Sequence, residues 1–307
     1  MFFVYLFVYL FVPLFFLIGL WRDRNPNLGL WLLEAAMAGS YCIYLFLIGL
    51  WPMVVGYGVR TALIVVLPIV ILKSYFNSKK KLFWSNLSKQ NIIYCTILLV
   101  LSGYFTMQVS LALQARQFTG PSIPLEFPLK EGTFSVLQGG SDAVVNHHFS
   151  VSAQKFAIDI VQVNQYGLRA KTVDPVDLSD FYIYDAIVYS PCDGTVIDFV
   201  DSYADLQPPE MDKDHPAGNY LAIAIKNSSM VLLLAHLKKD SIKVGKGDTV
   251  AQGQALARVG NTGNSSEPHL HMHVVLGSSS DLDTWLYSGQ GIVMLFGDRF
   301  LIRNDLF

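Results

Sequence analysis

From Phe2 to Leu20 the chain runs nineteen residues without a charged side chain. As a helix that run is about 28 Å long, close to the thickness of a bilayer's hydrocarbon core. Met1 is followed by no basic stretch, and no small-residue cleavage site stands near Gly19, so the expectation is a retained span and not a cleaved signal peptide. Further apolar runs extend from about Leu28 to Trp51, from about Met53 to Leu72 and from Ile92 to Leu113. The reading is four transmembrane helices within residues 1–113. The third run carries Arg60 and Pro68. A charge at the bilayer midplane costs roughly 2.5–3.5 kcal/mol, which puts Arg60 near an interface. Glu34, in the second run, reads as an interface-proximal residue at the cytoplasmic end, with a transport carboxylate as the alternative.

Charge divides the chain at the same place. Residues 1–112 hold eight Lys/Arg and two Asp/Glu, a net +6; residues 113–307 hold fourteen and twenty-two, a net −8. The overall −2 is therefore a cancellation between two different objects. With 52% hydrophobic and 15% charged residues, this excludes one soluble globule, a disordered chain and a nucleic-acid binder with a general basic face. Three cysteines (Cys42, Cys95 and Cys192) exclude a disulfide framework and a Cys-rich zinc site. Basic residues crowd two short loops, Arg22 and Arg24 in one, Lys73, Lys79, Lys80, Lys81 and Lys89 in the other. Placing both in the cytoplasm puts the chain start, and everything after about Gln114, outside: a multi-pass membrane protein with an extracytoplasmic C-terminal domain.

Residues 114–131 read as a linker, because Gly120, Pro121, Pro124 and Pro128 favour an extended tether. Over 132–307 the apolar pattern shortens to runs bounded by Gly, Asn, Asp and Pro. These are Phe156–Val163, Ala186–Tyr189, Gly194–Val200, Tyr220–Ile225, Met230–Leu234, Ala255–Val259 and His271–Leu276. Such runs predict an all-β domain built on an antiparallel sheet or sandwich. The polar stretch Asn164–Tyr184 reads as a long loop beside the sheet. The Gly-rich stretch Val244–Gln254 also occurs in cofactor-carrier hammerhead domains, but Lys246 lies inside the turn itself, and a carrier leaves the histidines without a role.

All seven histidines fall in the β half, and six form a constellation: His147 and His148, His236, then His269, His271 and His273. Residues two apart on a strand share a face, so His269, His271 and His273 point one way and Leu270, Met272 and Val274 the other. Three imidazoles on one face signal metal or catalysis more than a plain core. Zn2+ is the natural ion, since it takes imidazole and carboxylate and keeps a water position open when catalytic.

These residues resemble the lysostaphin- and LytM-type zinc metallopeptidases, which cleave peptide cross-links of bacterial cell walls. The resemblance spans about Asp142 to Val275. It is strongest over Gly218–Val274, where a Gly-Asn strand start, Ala-His-Leu, Gly-rich turns, Gly-Asn-Thr-Gly and His-x-His follow in order; Ser190–Phe199 is similar to the family's Ala-Pro-x-Asp-Gly-x-Val strand. The resemblance implies that His271 and Asp159 ligate zinc, and that His236 and His269 are the non-ligand catalytic histidines. One position departs: four residues before Asp159, where the family has a ligand histidine, stands Lys155. Two accounts follow. The third ligand is His148, with His147 as the fallback, or the site is metal-free, as in relatives that bind wall or activate other hydrolases. His273 reads as a second layer behind the metal or as packing, His215 as a surface-loop residue and Asp193 as a turn residue.

The expected activity is a membrane-anchored zinc metalloendopeptidase. Its partners are peptidoglycan peptides or another peptide substrate and the lipid bilayer, with no nucleic acid; the sequence carries no sign of oligomeric state. His236 and His269 are expected to accept the water proton or to donate to the tetrahedral intermediate. A membrane sensor or transporter with an attached β domain fits less well, because the spans hold few charges that could line an ion path.

Overall fold

The computed structural model describes residues 2–22, 25, 27–83, 88–277 and 281–307. The chain divides into two compact units, Met1–Leu113 and Gln114–Phe307.

The first unit is helical. It contains α1 (Phe2–Leu6), α2 (Val12–Arg22), α3 (Leu28–Ile48), α4 (Trp51–Val54), α5 (Gly56–Ser78) and α6 (Lys89–Gln114). A π turn over Phe7–Phe11 joins α1 to α2 just before Pro13, which has no N–H to offer the preceding turn. Among the described residues, four helices are long and apolar enough to cross a membrane: Val4–Arg22, Leu28–Ile48, Gly56–Ser78 and Lys89–Gln114. The third starts later than its apolar run, because Gly56 takes φ +72° and separates α4 from α5. Polar groups between helices find partners: Trp31 Nε1 donates to Ser74 Oγ at 3.0 Å, and Tyr41 Oη to the Val8 carbonyl at 2.8 Å. Arg60 stands in the opening turns of α5 and donates from Nε to the Phe46 carbonyl at 2.9 Å. A cation is thus matched to the carbonyl end of α3. Glu34 accepts from Tyr94 Oη at 3.1 Å and Asn25 Nδ2 at 3.0 Å. Of the residues read as basic loops, Arg24 lies outside the described residues, and Lys73 lies in the last turns of α5, where its Nζ donates to the Trp21 carbonyl and stands 3.5 Å from the Trp21 ring centroid.

The second unit is a curled, mostly antiparallel β domain. Its strands are β1 (Ser122–Leu125), β2 (Thr133–Gln138), β3 (Ile158–Val163), β4 (Ile187–Tyr189), β5 (Gly194–Val200), β6 (Asn219–Ile225), β7 (Met230–Leu237), β8 (Thr249–Val250), β9 (Ala255–Arg258), β10 (Leu270–Leu276) and β11 (Gln290–Phe296). Among the described residues, nine strands form one sheet in the order β1-β11-β10-β7-β6-β5-β8, with β3 on the free edge of β10 and β2 beyond it. β4 and β9 pair separately. β1 and β11 are parallel, and the other pairs are antiparallel.

β10 is the central strand. Leu270, Met272 and Val274 lie in the main core with Leu232, Leu234, Ile158, Ile160, Leu221 and Ile223. Each such side chain withdrawn from water contributes about 1.5–3 kcal/mol before chain entropy is counted. Val275, on the other face, lies in a smaller cluster with Val231, Leu233, Ala153 and Trp285. The expected alternation along this strand is therefore present, except that His269 lies one residue before its first paired position.

Three differences from the sequence expectation follow from pairing. The segment read as a tether contains β1, which the C-terminal strand β11 recruits; Ser122 and Pro124 pair opposite Val293 and Leu295. β7 continues past Leu234 through His236 because β10 and β6 flank it. β3 begins at Ile158, since turns at Gln154 and Ala157 occupy the preceding residues.

Candidate metal centre

Strand pairing alone brings Asp159 to His271. The two are directly opposite in the β3–β10 register, and on the other side of β10 His271 faces Ala235, the neighbour of His236. His271 Nδ1 lies 2.9 Å from Asp159 Oδ1. His148 Nε2 lies 3.0 Å from Oδ2 and 3.1 Å from Oδ1 of the same carboxylate, and His269 Nε2 lies 3.7 Å from Oδ1. The ring of His236 is 4.7 Å from that of His269 and 5.8 Å from that of His271, centroid to centroid. All five residues singled out in the sequence are thus in one place. Asp159, His236 and His271 are buried, His148 and His269 partly so.

His148 arrives from a 3-10 turn, His147–Ser150, whose N-cap is Asn146. The Asn146 carboxamide oxygen accepts the His148 N–H at 3.1 Å, and its nitrogen donates to the carbonyls of Gly140 and Ala157, each at 3.1 Å. One fully buried amide therefore ties the turn to the start of β3. Arg303 adds a second tie: it bonds the side-chain oxygen of Gln138, which also accepts the His147 N–H. Lys155 takes no part. It is exposed, with its ammonium 4.8 Å from the Phe149 ring centroid. His147 stacks on His148 at 3.9 Å, and one ring nitrogen of each, with an Asp159 oxygen, fall within 4.8 Å of one another. His147 thus completes a three-residue group with His148 and Asp159, while His271 meets the same carboxylate through Nδ1 and stands 4.6 Å from His148, ring centroid to ring centroid.

His236 has φ +62°, a left-handed conformation costly for a side chain with a Cβ. The Gly-Asn-Thr-Gly loop holds it there: its Nδ1–H donates to the Thr262 carbonyl at 2.8 Å, leaving Nε2 bare. That loop comes close enough that a Cβ on Gly218 would overlap the Thr262 backbone, and one on Gly263 would overlap Gly218. Both glycines also have positive φ, so the motif's glycines are required on two counts. His269 is fixed alike: Nδ1–H donates to the Glu267 carbonyl at 2.9 Å, beside Ser265 Oγ. Glu267 is itself held by a buried ion pair, its Oε1 2.7 Å from Arg169 Nε on the long loop.

Burial sets the protonation of the rings. It pushes His271 down to about 3 and His273 to about 4, and holds His236 well below the usual imidazole range with His269 and His271 adding to the effect. Burial, then the neighbouring His148, lowers His147 to about 4. For Asp159 burial works upward, but His148 and His269 and the hydrogen bonds to its oxygens outweigh it, and the carboxyl stays well below its usual range. The site is therefore one carboxylate among imidazoles, with no thiolate. Such a donor set fits a borderline-soft divalent ion.

The remaining polar residues serve the frame. His215 is half-exposed, paired to Asp212 at 2.8 Å and stacked on Tyr203. Asp193 receives the Gln252 N–H in a turn. The sequence reading did not single out Asn146, Thr262 or Trp285. Only Asn146, an N-cap residue type directly before His-His, left a local signal.

Residues 180–282 match Peptidase family M23, a span that takes in His236, His269 and His271 and begins after His148 and Asp159. The chain is 36% identical over 108 residues to the peptidoglycan DD-endopeptidase ShyA of Vibrio cholerae, covering 34% of this chain and 21% of that one. It is 38% identical over 92 residues to ShyB of the same organism, covering 30% and 18%. The match thus spans about a fifth of each curated relative. A crystal structure of a zinc-containing peptidase from Vibrio cholerae overlaps 50% of this chain and 37% of its own at 26% identity and a TM-score of 0.31.

Proposed function

On the premise that residues 180–282 form a Peptidase family M23 domain, we propose that this protein is a membrane-anchored zinc metalloendopeptidase cutting peptide bonds in peptidoglycan cross-links. His148, Asp159 and His271 would hold the ion. Zinc supplies Lewis acidity there, making water a nucleophile near neutral pH and polarising the scissile carbonyl. The chain's own contribution is proton transfer and charge stabilisation. His236 and His269 each have Nδ1–H committed to a backbone carbonyl, so each turns Nε2 away from it. Either ring can accept the proton lost by water and then donate it to the developing oxyanion or the leaving amine. The observation that carries the reading is the meeting of four imidazoles, from three separate segments, around the one buried Asp159 carboxylate.

The four apolar helices would anchor the domain, with Arg22 and the Lys73–Lys89 loop cytoplasmic and the β unit on the side where wall polymer lies. Full-length protein in detergent should release new amino termini from purified peptidoglycan, lose that activity to a chelator and regain it with zinc. Asp159→Ala should abolish both activity and zinc retention. Release that ignores both chelator and Asp159→Ala would reject the proposal. Lys155, standing where the resembled family has a ligand histidine, favours a second reading: a metal-free domain that binds wall or activates another hydrolase. Wall binding without release and without retained zinc would select it. Membrane-impermeant thiol labelling of cysteines introduced at Lys80 and at Lys246 should modify only the second in intact cells.

A further inference from the structure

His273 lies behind the metal centre and touches no substrate path, yet both of its ring nitrogens are engaged. Nε2 is 2.8 Å from the Trp285 carbonyl, and Nδ1 is 2.9 Å from His271 Nε2. The residue is 1% exposed, and Trp285 is fully buried.

With a cation at the Asp159 end, the proton order along this chain is set by its far end. A carbonyl oxygen only accepts, so the proton on the ring of His273 sits on Nε2. Nδ1 of His273 is then an acceptor, and the proton opposite it belongs to His271 Nε2. The reverse order would set two lone pairs against each other at Trp285, 2.8 Å apart in a dry interior. Two neutral rings bring only two protons to the three gaps between Asp159 and Trp285; with His271 protonated on Nε2, its bare Nδ1 stands 2.9 Å from Asp159 Oδ1, and a cation held by both atoms would fill the gap that no proton fills. The carbonyl itself is held in place. Trp285 lies in the turn Thr284–Ser288, which Gln154 Nε2 grips through the Leu286 carbonyl at 2.7 Å.

We propose that His273 is a positioning residue that locks His271 in the Nε2–H tautomer and so selects Nδ1 as its metal-binding atom. The inference rests on the zinc reading above and deepens it. Without the relay, His271 is free to carry its proton on Nδ1, where it donates to Asp159 and blocks the ligand position. An outer partner of this kind is worth about 10–100-fold in metal affinity.

The test uses the full-length protein in detergent micelles with one equivalent of zinc, labelled with 15N-histidine and held at pH 8. Two-bond 1H–15N spectra, with His271 assigned by its loss in His271→Gln, should show the Nε2–H tautomer. In His273→Leu, which removes the acceptor, the Nδ1–H form should appear, and zinc affinity measured by competition with a chromophoric chelator should fall about 10–100-fold. His273→Asn, which returns an acceptor near the Nδ1 position, should restore most of both. An Nδ1–H tautomer in the unsubstituted chain overturns the proposal without needing any variant to fold. Zinc binding of normal strength in His273→Leu overturns the proposal alone and leaves the metal centre standing. A chain that shows the Nε2–H tautomer but binds no zinc overturns the metal centre itself, and ligand selection with it.

Discussion

His148 Nε2 stands 3.0 Å from Asp159 Oδ2, although the two residues are eleven positions apart and only one of them is on a strand. In the proposed site the contact would supply what a ligand four residues before Asp159 supplies, and Lys155, which occupies that position, is exposed. A 3-10 turn held by a buried asparagine does the work of a strand neighbour.

Removing either end of that contact should show which imidazole counts. His148→Ala is expected to weaken zinc binding by more than the ~10–100-fold typical of an outer partner, whereas His147→Ala and Lys155→Ala keep near-normal affinity. Chelator competition on the three variants checks this. Loss of zinc in His147→Ala with retention in His148→Ala would reassign the ligand.

Asn146→Ala should destabilise the β domain without touching a ligand. The change strips the N–H of His148 of its acceptor and leaves the Gly140 and Ala157 carbonyls without their donor. Lost buried hydrogen bonds of this sort cost about 1–3 kcal/mol, or several degrees in Tm for a domain of this size. Thermal unfolding in detergent measures it; an unchanged midpoint would show that the turn is held by Arg303 and packing alone.

The metal-free chain should lose stability on mild acidification. His271 and His273 have folded pKa values of about 3 and 4 against 6.5 when unfolded. Below 6.5 the unfolded chain binds protons the folded one refuses, so stability is full above that pH and falls as pH drops toward 4 and then 3. His273 by itself accounts for a loss of about 2 kcal/mol at pH 5. Denaturant midpoints of chelator-treated protein at pH 8 and pH 5 report the slope; a flat profile across that interval contradicts the assignment of neutral buried rings.

The ion pair between Arg169 and Glu267 should couple the long loop to catalysis. Glu267 sits two residues before His269 and its carbonyl orients that ring, so Arg169→Met leaves a nearly buried carboxylate unpaired at a cost of about 3–5 kcal/mol. The paired change Arg169→Met with Glu267→Leu should recover much of it, with a coupling energy of about 0.5–3 kcal/mol in a double-mutant cycle. Additive losses would mean that the two side chains act independently.

The four apolar helices, the switch to β pattern, seven of the strands and the histidine constellation were all legible in the residues. Each announces itself within a short window, through an uncharged run, alternation or a motif at fixed spacing. β1, β2, β8 and β11 were not, and the reason differs from strand to strand. β1 carries Pro124 and extends only because β11 offers a parallel edge. β8 is two residues long. The curved pairing of β2 with β3 needs a bulge between Val136 and Gln138 that no local pattern states.

At the site, the resemblance implied that His236, His269, His271 and Asp159 belong together, and residue type alone that Lys155 is no ligand, since an ammonium has no lone pair to give. Tertiary structure decided what those types leave open. It brings His148 rather than the aligned position to Asp159, because Asn146 finds its buried acceptors only in the folded loop. In the proposed relay it also sets which nitrogen of His271 is bare, through a carbonyl at Trp285, fourteen residues further along the chain and reached through His273. Composition specifies which atoms can bond; only packing specifies which of them meet, and in which proton order.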